Sequence, residues 1–150
     1  MIKKIFLLVL ISIICSGYST KPKGRYNWAK PPCINLDTIR EISNGPNKNP
    51  YNITEKQLEK YNKYNINQLL LSDMKDPING MLVTDWYFTV YIPALLKFYN
   101  IPYEIDIMLM VFKWGPKNTI EYMAGLGGIP SVNSIRFMNE YLRLEGIKLC

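Results

Sequence analysis

The sequence predicts a small α/β domain, in which a mixed sheet is flanked by short helices. Residues 81–114 form the longest apolar stretch after the N-terminus. Within it, residues 82–92 alternate with a period of two, as in a half-buried strand. Residues 103–112 have two nearly apolar faces, as in a central strand. The 150 residues are 48% hydrophobic and 20% charged, which suits one domain with a packed core.

The N-terminus has the pattern of an export signal over residues 1–19. Lys3 and Lys4 precede a ten-residue apolar region at 5–14, interrupted only by Ser12, which would span only about half of a hydrocarbon core as a helix. Cys15 follows directly, and this arrangement resembles a bacterial lipoprotein signal, although Ile14 replaces the usual small residue. The resemblance implies lipidation of Cys15 and a membrane anchor. Ordinary cleavage after position 17 or 19 and an uncleaved anchor are the alternatives.

The remaining cysteines suggest a disulfide. If Cys15 is lipidated or removed, Cys33 and Cys150 form an even pair, which an oxidising compartment would join. Two unrelated thiols are the alternative. The bond would tie the end of the chain to the segment before the domain.

The chain divides into the signal at 1–19, a tether and loop at 20–50, and a single α/β domain at 51–150. Residues 20–32 are basic, contain prolines and lack periodicity, as in a tether. In the domain, Thr54 and Gln57 form a capping box that predicts a helix from Glu55 to about Lys63. Asn65 can cap a second short helix.

The core stretch follows as strand, helix and strand. A helix starting at Thr84 is the rival to the first strand, and Pro93 favours a helix over residues 94–99 in either case. Residues 103–112 give the next strand, and Asn118 can cap a helix over 119–124. A strand at 132–138 and a strand or helix at 140–148 complete the domain.

Residues 80–135 resemble a thioredoxin-like fold. The segment Gly128-Ile129-Pro130-Ser131 is similar to the family's cis-proline loop, and Pro93 lies where the family kinks its first active-site helix. The family's Cys-x-x-Cys would fall at residues 85–88, where there is no cysteine, so dithiol exchange is excluded there. The resemblance implies a binding groove formed by Asp85, Trp86 and Pro130.

Composition excludes several other functions. Histidine is absent, which removes Ser-His-Asp and Cys-His catalysis and zinc sites with a His ligand. The net charge is +6, but the basic residues form no stripe, so nucleic-acid binding is not expected. Glu104 and Asp106 could form a carboxylate pair for hydrolysis, although a solvated strand end is the commoner arrangement.

These observations favour a non-enzymatic accessory or binding lipoprotein of a bacterial envelope system, exported and then tethered to a membrane or released to the periplasm. Its expected partners are the membrane, through the lipid, and envelope proteins. The sequence indicates no catalytic residue, metal or cofactor. A redox-inactive thioredoxin-like chaperone or adaptor is the alternative.

Overall fold

The computed structural model describes residues 30–43 and 49–149, with side chains described to residue 146. All regular structure in these residues is helical. The α-helices are α1 (Leu36–Ser43), α2 (Glu55–Tyr64), α3 (Pro77–Trp86), α4 (Ile92–Phe98), α5 (Ile105–Trp114), α6 (Pro116–Met123) and α7 (Val132–Leu149). A short 3-10 helix (Leu71–Lys75) precedes α3, and a π-helical segment (Tyr87–Tyr91) joins α3 to α4.

The predicted α/β class with a mixed sheet is therefore wrong, because the described residues contain no strand. The predicted strands at 82–92 and 132–138 lie wholly in helices, and residues 105–112 of the strand predicted at 103–112 belong to α5. The sheet that the thioredoxin-like resemblance implies is missing from these ranges. Its proline loop instead leads into α7, where Ser131 Oγ accepts a hydrogen bond from the Ser134 amide at 3.2 Å, as a helix N-cap does.

The core is built around α5. Six consecutive residues from Ile107 to Phe112 are buried, so this helix is enclosed on all sides. It packs against α4, the π segment, α6 and α7, while α1 lies against α7 and α3. A helix that is apolar all round belongs in a protein interior, which explains why residues 103–112 had no polar face.

The rod from Pro77 to Phe98 is one continuous helical stretch with a wider turn in its middle. Asp76 caps it, with Oδ1 accepting from the Ile78 amide at 2.9 Å. In the π segment the Ile92 amide donates to the Tyr87 carbonyl, five residues back. Pro93 has no N–H and its ring would crowd the Thr89 carbonyl, so a wider turn before it relieves that contact.

Two local predictions are confirmed. The capping box at the start of α2 is formed, with Leu58 and Tyr61 buried on the inner face. The helix after Pro93 is present, and its C-terminus has Asn100 at φ +54°, a left-handed conformation that stops the helix. The helix predicted after Asn65 is absent, since residues 65–70 are irregular.

Gly80 marks the closest approach between α3 and the chain before α2. A Cβ atom at this position would lie 2.7 Å from Cδ2 of the buried Tyr51. Only glycine allows the Tyr51 ring to lie directly against the helix backbone. This contact fixes the segment that leads into α2, and with it the position of the α2 N-terminus.

Candidate functional site

A concavity of about 260 Å³ lies where α2, the π segment and the α5–α6 turn meet. We call it the lysine pocket. Its lining combines aromatic rings, three lysines and small turn residues, and none of the lining residues is acidic. The lining residues are Thr54, Lys56, Gln57, Lys60, Tyr87, Tyr91, Val111, Phe112, Lys113, Trp114, Gly115 and Pro116.

The π segment supplies the aromatic wall of the lysine pocket. Tyr91 stacks on Trp86 with ring centroids 5.4 Å apart and planes 16° apart, and it meets the edge of Tyr87 at 5.2 Å. Tyr87 in turn contacts Phe112 of α5 edge-on at 5.8 Å. Trp86 and Tyr91 are five residues apart, a spacing that aligns side chains in a π turn and separates them in an α-helix.

Hydrogen bonds through Gln57 fix the floor of the pocket. Its Nε2 donates to the Phe112 carbonyl at 2.9 Å, and its Oε1 accepts from the Thr54 amide at 2.9 Å. The Tyr87 hydroxyl donates to the Gln57 carbonyl at 3.0 Å. The α2 cap, the π segment and α5 are thereby held together, so the pocket is pre-formed in the folded chain.

Three lysines surround this floor without a carboxylate partner. Lys56 and Lys60 are four residues apart on α2, and Lys113 projects from the last turn of α5. Within the described residues none of the three forms an ion pair. Lys60 Nζ lies 5.7 Å from the Tyr91 ring centroid, and Lys113 Nζ lies 5.3 Å from that of Phe137. No carboxylate therefore neutralises these three ammonium groups by direct contact in the described residues.

Burial changes the protonation of these groups. It lowers the pKa of Lys113, because the ammonium group loses solvation. Burial also raises the pKa of Tyr87 well above its ordinary value, and neighbouring Tyr91 adds to the rise. The pKa of Tyr91 is raised too, first by burial and then by Tyr64 and Tyr99. Both phenols on the wall stay neutral at ordinary pH and can donate hydrogen bonds.

A second concavity of about 350 Å³ lies between α1 and α7, and we call it the outer groove. Two of its basic residues are on α7, and Lys113 lines it as well as the lysine pocket. Arg143 is paired with Glu140, with an N–O distance of 2.9 Å. The lining residues are Glu41, Ile42, Lys113, Asn133, Arg136, Phe137, Glu140, Arg143 and Leu144.

The groove predicted from Asp85, Trp86 and Pro130 has its residues in different settings. Asp85 is exposed on α3, and Pro130 is half-buried in the loop before α7. Trp86 is half-buried and stacks on Tyr91, which places it behind the wall of the lysine pocket. None of the three residues belongs to the lining of that pocket.

The remaining predicted site residues are the carboxylates Glu104 and Asp106 and the three cysteines. Asp106 lies in the first turn of α5 and accepts from the Ile107 amide at 2.9 Å, and Glu104 precedes that helix. Within the described ranges no group of three or more potential ligands could hold a metal ion. Cys33 is exposed and has no disulfide partner among the described residues. Cys15 and Cys150 lie outside the described residues, as does the predicted signal segment.

The lysines of the pocket were missed from the sequence. The spacing of Lys56 and Lys60 is a helical i, i+4 pair of like charges, which is a signal for a basic helix face. Lys113 directly follows the predicted strand at 103–112, so nothing local related it to α2. The overall scatter of basic residues along the chain concealed a cluster that only the helical packing assembles.

No protein family, curated protein or solved structure matches this chain. The function is therefore argued from the site itself.

Proposed function

We propose that this protein is a non-enzymatic binding protein that holds an anionic ligand with an aromatic or apolar body in the lysine pocket. The observation that carries the proposal is the lining itself. Three lysines without ion-pair partners in the described structure surround an aromatic floor, and no carboxylate belongs to that lining. An anion placed there would supply the missing negative charge.

Electrostatics favours an occupied pocket. Like charges four residues apart on α2 repel each other by a few tenths of a kcal/mol. Lys113 loses solvation on burial, which lowers its pKa. A bound carboxylate, sulfonate or phosphate group reduces both costs. The neutral phenol of Tyr91 adds a hydrogen-bond donor, and the rings of the aromatic wall add flat apolar surface, which suits a ligand with a ring or a branched chain beside its charge.

The setting that we propose is a bacterial cell envelope. The chain would be exported and tethered through a lipid on Cys15, or released to the periplasm, and would act as an accessory protein. The order of Lys3, Lys4, the apolar residues 5–14 and Cys15 supports this setting. Among the helices that the structure describes, none is both long and apolar enough to cross a membrane.

Two fluorescent probes test the pocket. Anilinonaphthalene sulfonate is anionic and aromatic, while N-phenylnaphthylamine has a similar ring system without charge. We expect the anionic probe to bind more tightly, and its affinity to fall as salt is raised. Lys60→Gln should weaken it about two- to fivefold, because one charge contact is lost. Lys97→Gln, an exposed lysine outside the pocket, is the matched control.

Equal affinity for both probes, together with no effect of Lys60→Gln, would remove the anionic ligand. The tether has a separate test. Cells fed labelled palmitate should label the full chain and not Cys15→Ala, and the label should follow the membrane fraction. Absence of label from the unmodified chain would remove the lipid anchor and leave the pocket proposal untouched.

A further inference from the structure

The lysine pocket and the outer groove share a wall. Lys113 lines both concavities. Phe112 lies in the floor of the pocket and Phe137 in the groove, with ring centroids 6.3 Å apart. Lys113 Nζ stands 5.3 Å from the Phe137 ring centroid. A ligand that passes over Lys113 from one concavity to the other would meet its ammonium group and the small exposed part of these two rings.

The lysine pocket is too small to enclose a drug-sized ligand. Pockets that enclose a whole drug-sized ligand have volumes of about 300–1,000 Å³. The lysine pocket has about 260 Å³, so such a ligand would leave part of its surface uncovered. The outer groove offers about 350 Å³ more on the far side of Lys113.

The outer groove does not present an unbroken row of positive charges, because carboxylates lie among its basic residues. Beyond Lys113, Arg136 is exposed and has no ion-pair partner in the described part of the chain, whereas Arg143 is already neutralised by Glu140. Glu41 also lines the outer groove. A polyanion with a charge at every step would meet this carboxylate and the Arg143–Glu140 pair. A chain with separated negative charges and apolar groups between them would not.

We infer that the lysine pocket and the outer groove together bind an extended acidic peptide segment of a partner protein, with carboxylates separated by apolar side chains. This inference rests on the proposed function and names its ligand class. In an extended peptide, side chains two residues apart lie on one face, about 7 Å from each other. One carboxylate would enter among the three lysines and another would reach Arg136, with an apolar side chain over Phe112 and Phe137.

The test compares a long probe with short ones. The long probe is a fluorescein-labelled peptide of about eight residues in which Glu and Phe occupy every second position in turn, with Ser between them, so that both side chains lie on one face; it spans roughly 26 Å when extended. The short probes are anilinonaphthalene sulfonate and a capped Glu-Phe dipeptide. Binding of the labelled peptide is measured by anisotropy, and that of the dipeptide by competition. We expect the long peptide to bind at least about tenfold more tightly than the dipeptide.

Substitutions separate the two concavities. Lys60→Gln should weaken both the long peptide and the anionic dye. Arg136→Gln should weaken the long peptide about two- to fivefold and leave the dye unchanged, since Arg136 lines only the outer groove. Lys97→Gln should change neither. A peptide with Lys in place of Glu should not bind.

The inference fails if the long peptide binds no more tightly than the dipeptide, or if Arg136→Gln leaves its affinity unchanged. It also fails if a single-stranded oligonucleotide of matched charge competes equally, which would indicate binding of any polyanion. In each of these cases the proposed pocket survives when the dye still depends on Lys60. Loss of that dependence as well would remove both.

Discussion

Polar side chains are hydrogen-bonded to one another where α1 meets α7, whereas the lysines of the lysine pocket lack such partners in the part of the chain that the structure describes. Where α1 meets α7, Thr38 Oγ1 and Asn35 Nδ2 both donate to Glu145, and the Asn35 amide donates to the buried Tyr141 hydroxyl at 2.8 Å. We call these four residues the polar junction. At the lysine pocket, three ammonium groups have no carboxylate among the lining residues.

The difference separates a structural role from a binding role. A partly buried carboxylate that accepts hydrogen bonds from another helix holds the two helices together. Its acceptor atoms are then already used within the fold and are not available to a ligand. A cluster of like charges around a concavity contributes little to folding and offers its interactions to another molecule. We therefore expect substitutions at the polar junction to change stability, and substitutions at the lysine pocket to change binding.

The largest expected effect concerns the predicted Cys33–Cys150 disulfide. Cys33 lies two residues before Asn35, so the bond would reinforce the polar junction. A disulfide that closes a loop of about one hundred residues lowers the entropy of the unfolded chain, which can stabilise the folded state by up to about 4–5 kcal/mol. We expect Cys33→Ser to lower the free energy of unfolding by up to that amount for protein folded under oxidising conditions.

Thiol titration of protein folded under oxidising conditions checks the pairing itself. No free thiol at these two positions before reduction and two after it are expected. Two reactive thiols without reductant would contradict the disulfide. In that case Cys33→Ser should leave the free energy of unfolding almost unchanged, because Cys33 is exposed. Anionic dye binding serves as the reference in either case, because it should not depend on Cys33.

Tyr141→Phe should have the next largest effect. The ring stays in the core, but the Asn35 amide loses its acceptor, so we expect about 1–3 kcal/mol of destabilisation in urea unfolding. Dye affinity should be unchanged. Met138→Leu on the same helix is a matched control, since it exchanges one partly buried apolar side chain for another. A stable Tyr141→Phe variant with weakened dye binding would break the distinction between the two regions.

Alkaline pH should act through the wall of the lysine pocket. The pKa of Tyr87 is raised in the folded protein, mainly by burial, so the unfolded chain ionises first. The neutral Tyr87 phenol contributes its full stabilisation of the folded state below the ordinary tyrosine pKa near 10. This stabilisation is lost as pH rises from 10 toward the pKa of Tyr87 in the folded protein. Tyr87→Phe should make stability fall less steeply above pH 10.

Unfolding in urea at a series of alkaline pH values measures this slope. Tyr122→Phe is the control, because Tyr122 is exposed on α6. Equal slopes for Tyr87→Phe and the unmodified chain would mean that the Tyr87 hydroxyl is not protected by its surroundings. The comparison of variants also separates Tyr87 from Lys113, whose lowered pKa makes stability rise with pH up to its ordinary value of 10.5, below most of the Tyr87 range.

Lys56→Gln should have the smallest effect on stability. It removes one of the three lysines on α2 and its repulsion with Lys60, so we expect the free energy of unfolding to change by no more than about 0.5 kcal/mol. Thermal unfolding measures it, and dye binding should weaken in the same variant. A clear loss of stability would place Lys56 among the structural residues and contradict its role as part of a free cationic lining.

The sequence predicted what depends on neighbours along the chain. Thr54 and Gln57 cap α2 through bonds that span three residues, and the helix after Pro93 depends on a local preference of proline. Residues 103–112 were misassigned because a segment buried on every side has no periodicity that separates a strand from a helix. The π segment at residues 87–91 added β-branched and aromatic residues, which favour strands, to a stretch with a period of two.

The candidate site depends on packing that the sequence could not supply. Lys113 meets Lys56 and Lys60 only because α5 passes beside the N-terminal half of α2, and the Gln57–Phe112 bond that fixes this contact joins residues 55 positions apart. Trp86, chosen for a different groove, does lie beside the wall of the pocket. Its stacking partner is set by a π turn, which the sequence analysis did not consider.

The π turn also sets the angular phase of the rod from Pro77 to Phe98. Successive side chains of an α-helix are about 100° apart around the helix axis. The one extra residue in the wide turn therefore changes the direction in which the side chains of α4 point relative to those of α3. Ile92 and Leu96 reach the core only with that offset in place. Deleting Thr89 would conserve the rod's apolar composition while turning its second half away from α5, so the length of residues 87–91 is as constrained as their identity.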